Sequence, residues 1–281
     1  SGLYDIEGFE AQGELHIETP FGAPSDAFIV GKFGDRRVAF LPRHGRGHRI
    51  LPSELNFRAN VWGMKSLGVK WILSVSAVGS LKEQYAPTHM VTPDQFIDRT
   101  FAREKSFFGT GLVAHVSMAH PVCKRLGDHI ETAAKEAGIV ALRGGTYLVM
   151  EGPQFSSLAE SELYRSWGCD VIGMTNMPEA KLAREAELPY ASVAMVTDYD
   201  CWRGDVAAVE VTNVLQVLRD NAAKAQALVQ RVAPLLGPER KPSPLGVETV
   251  LDFAIITAPE ARDPALVAKL DAVAGRGLKG E

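Results

Sequence analysis

Asp198 and Asp200, in Thr197-Asp198-Tyr199-Asp200-Cys201-Trp202, form a carboxylate pair that could direct hydrogen bonds to a ligand or serve acid catalysis. The same spacing also fits a divalent cation, which would need further carboxylates nearby, or a solvated acidic turn. A cationic group lies at Pro42-Arg43-His44-Gly45-Arg46-Gly47-His48. Glycines there let the backbone approach a ligand, and a planar guanidinium binds phosphate oxygens in pairs, unless the segment is simply a solvated basic turn. Ser74-Val75-Ser76-Ala77-Val78-Gly79-Ser80 offers hydroxyls and N–H groups suited to phosphate or ribose, although serines also form plain turns. In Glu151-Gly152-Pro153-Gln154-Phe155-Ser156-Ser157, Phe155 could stack on a purine and Ser156 or Ser157 could cap a helix. The competing reading makes Phe155 a core residue.

Other candidates carry less. His115 sits between apolar residues in "LVAHVSM", where a satisfied buried histidine is expected. Glu104, Asp128 and Glu131 read as surface charges, and His16, His89 and His129 have no partner visible in sequence. P-loop, complete G-x-G-x-x-G and H-E-x-x-H patterns are lacking, which argues against nucleoside triphosphates, dinucleotides and zinc hydrolysis. Neither a metal nor a resident cofactor is expected.

These groups need a frame. The chain has 281 residues, 46% hydrophobic and 23% charged, enough for a well-buried core in one large α/β domain or two smaller ones. A net charge of -4 gives no global attraction for nucleic acid, so phosphate chemistry must rest on a local site. Three cysteines without metal spacing, Cys123, Cys169 and Cys201, suit a reducing cytosol, with the thiols buried and idle. No apolar run approaches the roughly 18 residues of a membrane span. No signal peptide opens the chain, and the abrupt Ser1-Gly2-Leu3 reads as a loop whose preceding strand is missing, so the natural chain is expected to be longer.

Periodicity places strands at 27–30 and 37–41 with Gly34-Asp35 at the turn, then a helix over 56–67 and a buried strand over 70–76. Helices follow at 121–137, 157–167, 179–187 and 212–232, and strands at 145–150, 169–174 and 189–197. This alternation argues an α/β fold with a central sheet flanked by helices. Residues 234–244 read as a linker, 247–256 as a short strand or helix, 264–274 as one helix, and "GRGLKGE" as frayed.

In order along the chain, "RHGRGHRILPSELNFRANVWGMKSLGV", "SAVGSL", "MEGPQFSS" and "WGCDVIGMTNMPEAKLAREAELPYASVAMVTDYDCW" resemble the trimeric purine nucleoside phosphorylase family. The similarity runs to about residue 232. It implies a phosphorylase domain over 1–232 and a divergent segment over 233–281 that packs on it or closes the site. The implied fold is a central mixed sheet curling toward a barrel, flanked by helices, in a homotrimer. The implied partners are a purine nucleoside and inorganic phosphate as co-substrate.

Carried over residue by residue, the resemblance gives a phosphate site of Ser1, Arg43, His44, Ser76, Ala77 and Thr175. Met174 would contact the ribose, Phe155 the base, and Asp198 and Asp200 its N7 and N6 edge. His115 would reach the 5′ end of substrate in a neighbouring subunit. Relatives acting on 6-oxopurines place a glutamate where Ser156 stands and an asparagine where Asp198 stands, so adenine is the implied base. Val211 stands where relatives binding a 5′-hydroxyl carry a histidine, with Val214 and Leu215 beside it, an apolar wall suited to a 5′-methylthio group. The expected reaction is therefore phosphorolysis of 5′-methylthioadenosine. Its rivals are phosphorolysis of methylthioinosine or general purine nucleosides, hydrolysis by water, and nucleoside binding without catalysis.

Overall fold

The computed structural model describes residues 6–203, 211–237 and 241–279. The chain opens with strands β1 (Phe9–Leu15), β2 (Phe28–Phe33) and β3 (Arg36–Phe40) in a small antiparallel sheet, with the expected turn at Gly34-Asp35. Helix α1 (Phe57–Ser66) follows, capped by the Asn56 side chain, which accepts from the Ala59 N–H. The large sheet is built from β4 (Ile72–Ser80), β5 (Met90–Thr92), β6 (Gln95–Arg99), β7 (Ala141–Arg143), β8 (Thr146–Met150), β9 (Val171–Gly173) and β10 (Tyr190–Asp198). Their order is β6-β8-β9-β4-β10-β5-β7, a mixed and curled sheet. Strands β6, β8 and β9 run parallel, β4 is antiparallel to β9 and parallel to β10, and β5 is antiparallel to β10.

Helices cover both faces because β10 is apolar on both. Tyr190, Ala194 and Val196 point into the main core with Met177, Ala180 and Ala183 of α4 (Asn176–Glu185). Ala191, Val193 and Met195, on the other face, pack with Leu126 and Ile130 of α2 (Lys124–Glu136) and Ala225 and Leu228 of α5 (Val211–Leu235). This period-2 division sets the position of the site. On β4, Ile72, Ser74, Ser76 and Val78 are buried, and Ile72 and Val78 belong to the main core, so Ser74 and Ser76 face the α4 side. Helix α3 (Leu158–Ser166) begins at a capping box in which Ser157 and Glu160 satisfy each other's backbone N–H.

Several boundaries differ from those expected. Strand β4 runs on through Ser80, so Ser76 is not its last residue and Ala77 lies inside the strand rather than beyond its end. Pairing with β10 continues from Ile72↔Tyr190 to Gly79↔Asp198 and holds the small residues in line. The segment over 264–274 forms two helices, α6 (Pro264–Lys269) and α7 (Asp271–Lys279), broken at Leu270. Gly275 to Lys279 is helical rather than frayed, with Leu278 packed on the core. The segment 247–256 holds a 3-10 turn, Val247–Phe253. Leu251, Ala254, Leu270, Val273 and Ala274 all belong to the main core. Among the described residues no helix is long and apolar enough to cross a membrane.

Candidate active site

Two buried polar clusters lie along β4, one around Ser74 and Ser76 and the other beside Gly79. The first is built on β4. The Arg43 guanidinium, on the loop after β3, enters the sheet face and donates from Nη1 to Ser74 Oγ (2.8 Å) and to Glu179 (2.8 and 2.9 Å), and from Nη2 to the Val75 carbonyl (2.9 Å). Glu179 on α4 also accepts from the Tyr190 hydroxyl at 2.9 Å. Ser76 lies 3.5 Å from the Tyr147 hydroxyl and donates to Asn176 Oδ1 at 3.4 Å. Thr175, at the N-cap position of α4, is buried and reaches the same tyrosine. Arg43 Nε and Asn176 Nδ2 are buried without a hydrogen-bond partner among the described residues.

The basic segment is thus divided. Arg43 is inside, whereas Arg46 is exposed and paired with Glu14 and Asp26. His44 Nδ1 lies 2.8 Å from the Ile50 carbonyl, and its ring stacks on His48. Burial, with Arg43 and His48 adding to it, pushes its pKa down to about 4, so the ring is neutral near pH 7. A carbonyl only accepts, so Nδ1 carries the proton and Nε2 is left as an acceptor.

The second cluster gathers residues from three segments. Asp198 accepts from Thr197 Oγ1 (2.7 Å) and from the Asp200 N–H (2.8 Å). Asp200 is buried and holds a left-handed backbone at φ 53. Cys201 Sγ donates to the Ser156 carbonyl at 3.4 Å, which brings the 151–157 loop against the aspartates. Gly79 makes room for them, since a Cβ there would stand 2.9 Å from Asp198 Oδ1. Burial raises both carboxyls above the ordinary range, and for Asp200 the neighbouring Asp198 adds to the effect. A solvated acidic turn is therefore excluded. Among the described residues no group of three or more His, Cys, Asp or Glu is placed to hold a metal ion.

Met174 follows β9 directly. A Cβ on Gly152 would overlap its sulfur, so the base-side loop touches this strand end directly. Phe155 is 42% exposed, which removes the reading of it as a core residue. Ser157 is the helix cap, leaving Ser156 free of that role. Cys123 and Cys169 are buried as expected, whereas Cys201 is only partly so.

His115 corrects an expectation: it is exposed, not buried, because its backbone N–H bonds to Ala254 along a surface bridge. It lines a cavity of about 410 Å³ with Lys105, Ser106, Lys181 and Glu185, which holds none of the other expected site residues. Ser1 lies outside the described residues, as do the side chains of Val211, Val214 and Leu215. The last three belong to the first turns of α5.

Glu185 accepts from Ser106 Oγ (2.8 Å) and the Phe107 N–H (2.7 Å), and burial pushes its pKa from 4.5 up to about 7. A raised carboxyl gives stability that is complete below the unfolded value and lost as pH rises through the folded one. Urea unfolding of the wild type should therefore show falling stability from about pH 5 to about pH 8, and Glu185→Gln should flatten that slope. An unchanged slope in the variant would remove Glu185 as its source.

Sequence reasoning missed Tyr147, Asn176, Glu179 and Arg103. Arg103 donates to Glu151 and to the Met174 and Met177 carbonyls. Each acts through partners far along the chain, and no local pattern marks them.

Comparison with known proteins agrees with this architecture. The phosphorylase superfamily model matches residues 4–234. The S-methyl-5′-thioadenosine phosphorylase of Rhodospirillum rubrum is 58% identical over 278 residues, 99% of this chain and 95% of that protein. The C-terminal segment thus lies inside that alignment. A crystal structure of a methylthioadenosine phosphorylase from an antarctic soil metagenomic library superposes with a TM-score of 0.92 at 46% identity, covering 97% of this chain and 96% of that one. Methylthioadenosine phosphorylase from Schistosoma mansoni, in complex with adenine, gives a TM-score of 0.82 at 38% identity, over 85% of this chain and 90% of that one. The chain belongs to the phosphorylase superfamily, alongside the S-methyl-5′-thioadenosine phosphorylases to which it is similar.

Proposed function

We propose that the chain catalyses phosphorolysis of 5′-methylthioadenosine, giving adenine and 5-methylthioribose 1-phosphate, with inorganic phosphate as the co-substrate. The observation that carries this reading is the presence of the two clusters: buried hydroxyls on β4 with the Arg43 cation against them, and a buried aspartate pair against Ser156. In this reading Arg43, His44, Ser76, Ala77 and Thr175 hold phosphate beneath the sugar, with Ser1 joining them on sequence grounds alone. Neutral His44 accepts from the hydroxyl of monohydrogen phosphate through Nε2.

Phosphate oxygen forms a bond to C1′ as the C1′–N9 bond breaks, through a cationic ribosyl species that the anion below it stabilises. The electron pair of the broken bond goes to the purine, and Asp198, whose carboxyl burial raises above the ordinary range, gives a proton to N7 when it is in its protonated form. Asp200 accepts from the N6 amine, Phe155 lies on the base, Ser156 leaves N1 unopposed, and Met174 meets the ribose.

On sequence grounds alone, Val211, Val214 and Leu215 would supply the apolar wall for the methylthio group. A 5′-hydroxyl left unpaired there would cost about 1–3 kcal/mol, which disfavours adenosine. A homotrimer is the assembly that suits His115, whose exposed ring can reach the 5′ end of substrate in a neighbouring subunit. The free thiols suit a cytoplasmic setting.

The test is incubation with 5′-methylthioadenosine, with and without phosphate, following adenine by chromatography. Release that depends on phosphate is expected. Release without phosphate would make the protein a hydrolase, and no release would leave a binder or a different substrate.

A further inference from the structure

We propose that Arg103 is a positioning residue for this reaction, fixing the spacing between the base-side loop 151–155 and the sugar-side segment 174–177. The proposal rests on the functional reading above. Strands β8 and β9 run side by side, paired from Tyr147↔Val171 to Val149↔Gly173, and leave the sheet at the same edge. Beyond that point no ladder joins them, yet the base and sugar of one nucleoside must be met by both exits at once.

Arg103 spans the gap. Its Nε donates to Glu151 Oε1 (3.1 Å) and its Nη2 to the Glu151 carbonyl (2.7 Å). Nη1 donates to the Met174 carbonyl (2.5 Å) and the Met177 carbonyl (2.7 Å). The segment carrying Met174 and Thr175 thereby curves around one edge of the guanidinium. Glu151 is itself immobilised: it accepts from Ser53 Oγ and from the N–H groups of Phe101 (2.6 Å) and Ala102 (3.3 Å). The Arg103 side chain is 1% exposed and its guanidinium lies over the Phe57 ring, so it does not offer itself to substrate. A planar fork can hold three carbonyls and a carboxylate in one geometry. An ammonium on a flexible stem cannot.

The consequence is specific. Free adenine needs only the base-side groups, Phe155 on the loop together with Ser156, Asp198 and Asp200, whereas the nucleoside needs both exits at the right separation. In Arg103→Lys, kcat/KM for 5′-methylthioadenosine should fall by about 30- to 100-fold, the size expected for a displacement near 1 Å. The dissociation constant for adenine, measured by calorimetry on the folded protein, should stay within about threefold of wild type, since its contacts are not displaced. Glu151→Gln, which keeps side-chain volume, should give the same pattern and serves if the lysine variant does not fold.

A loss of turnover below about threefold would overturn the proposal, because the spacing would then not depend on the fork. So would an equal loss of adenine binding and turnover, which marks a general structural role. Failure of the functional reading would look different: the wild-type protein itself would release no adenine from 5′-methylthioadenosine, and the proposal would fall with it.

Discussion

Replacing Asp198 with asparagine is expected to lower kcat on 5′-methylthioadenosine by on the order of 10²-fold or more, the usual contribution of a positioned proton donor. The substitution is nearly isosteric, and both existing contacts can persist. An amide oxygen accepts from the Asp200 N–H as the carboxylate does, and Thr197 Oγ1 can turn to accept from the amide nitrogen. The loss is therefore chemical rather than structural. Burial raises the Asp198 carboxyl, so the protonated form that can donate to N7 persists above the ordinary carboxylate range. Wild-type kcat should decline as pH rises through that raised value, and the asparagine variant should lack this limb.

Base preference should shift as well. Asparagine can donate a hydrogen bond to N7 at any pH but cannot transfer a proton, so the adenine substrate loses most and the rate ratio of adenine to hypoxanthine nucleosides should fall. Full activity on the adenine substrate, with no gain on inosine-type substrates, would remove Asp198 from the proton-transfer role.

How far the site could be read from sequence depended on the range of the interactions that build it. Ser76, Asp198 and Thr175 stand in compact motifs, the first two on β4 and β10 and the third at the N-cap position of α4, so their residue types were legible there. Arg43 was visible as a residue, but its partner Glu179 lies 136 positions away in a segment that reads as an ordinary helix start. Arg103 reaches Met174 across 71 positions and sits in "RTFAREKSF", which looks like a charged loop.

The missed strands have local reasons. Strand β1 is polar and exposed along nearly all its length, so it carries no buried alternation, while β5 and β7 have three residues each, too few to show a period. His115 misled because its apolar neighbours Ala114, Val116 and Met118 do pack on the main core, while the alternation of this extended segment turns His115 itself outward.

The second large effect is expected at Glu179. Its carboxylate is the buried counter-charge of Arg43, with side-chain exposures of 7% and 14%, and it also satisfies the Tyr190 hydroxyl. Glu179→Ala would leave a buried guanidinium and a buried phenol without their acceptor, at a cost of about 3–5 kcal/mol by urea unfolding. A loss below about 1 kcal/mol would mean that the pair is solvated in solution and would overturn its description as buried.

The double variant Arg43→Met, Glu179→Met separates stability from function. Replacing both charges with apolar chains of similar size removes the desolvation penalty along with the attraction, so stability should return to near wild type or above. Phosphate use should not return, because the proposed cation beneath the sugar is gone. The ion pair would then be retained for what it holds in place: it keeps a guanidinium aimed at the face of β4 where Ser74 and Ser76 are presented. A double variant that still uses phosphate at the wild-type rate would show that Arg43 is only a structural tie and that phosphate is held by other groups.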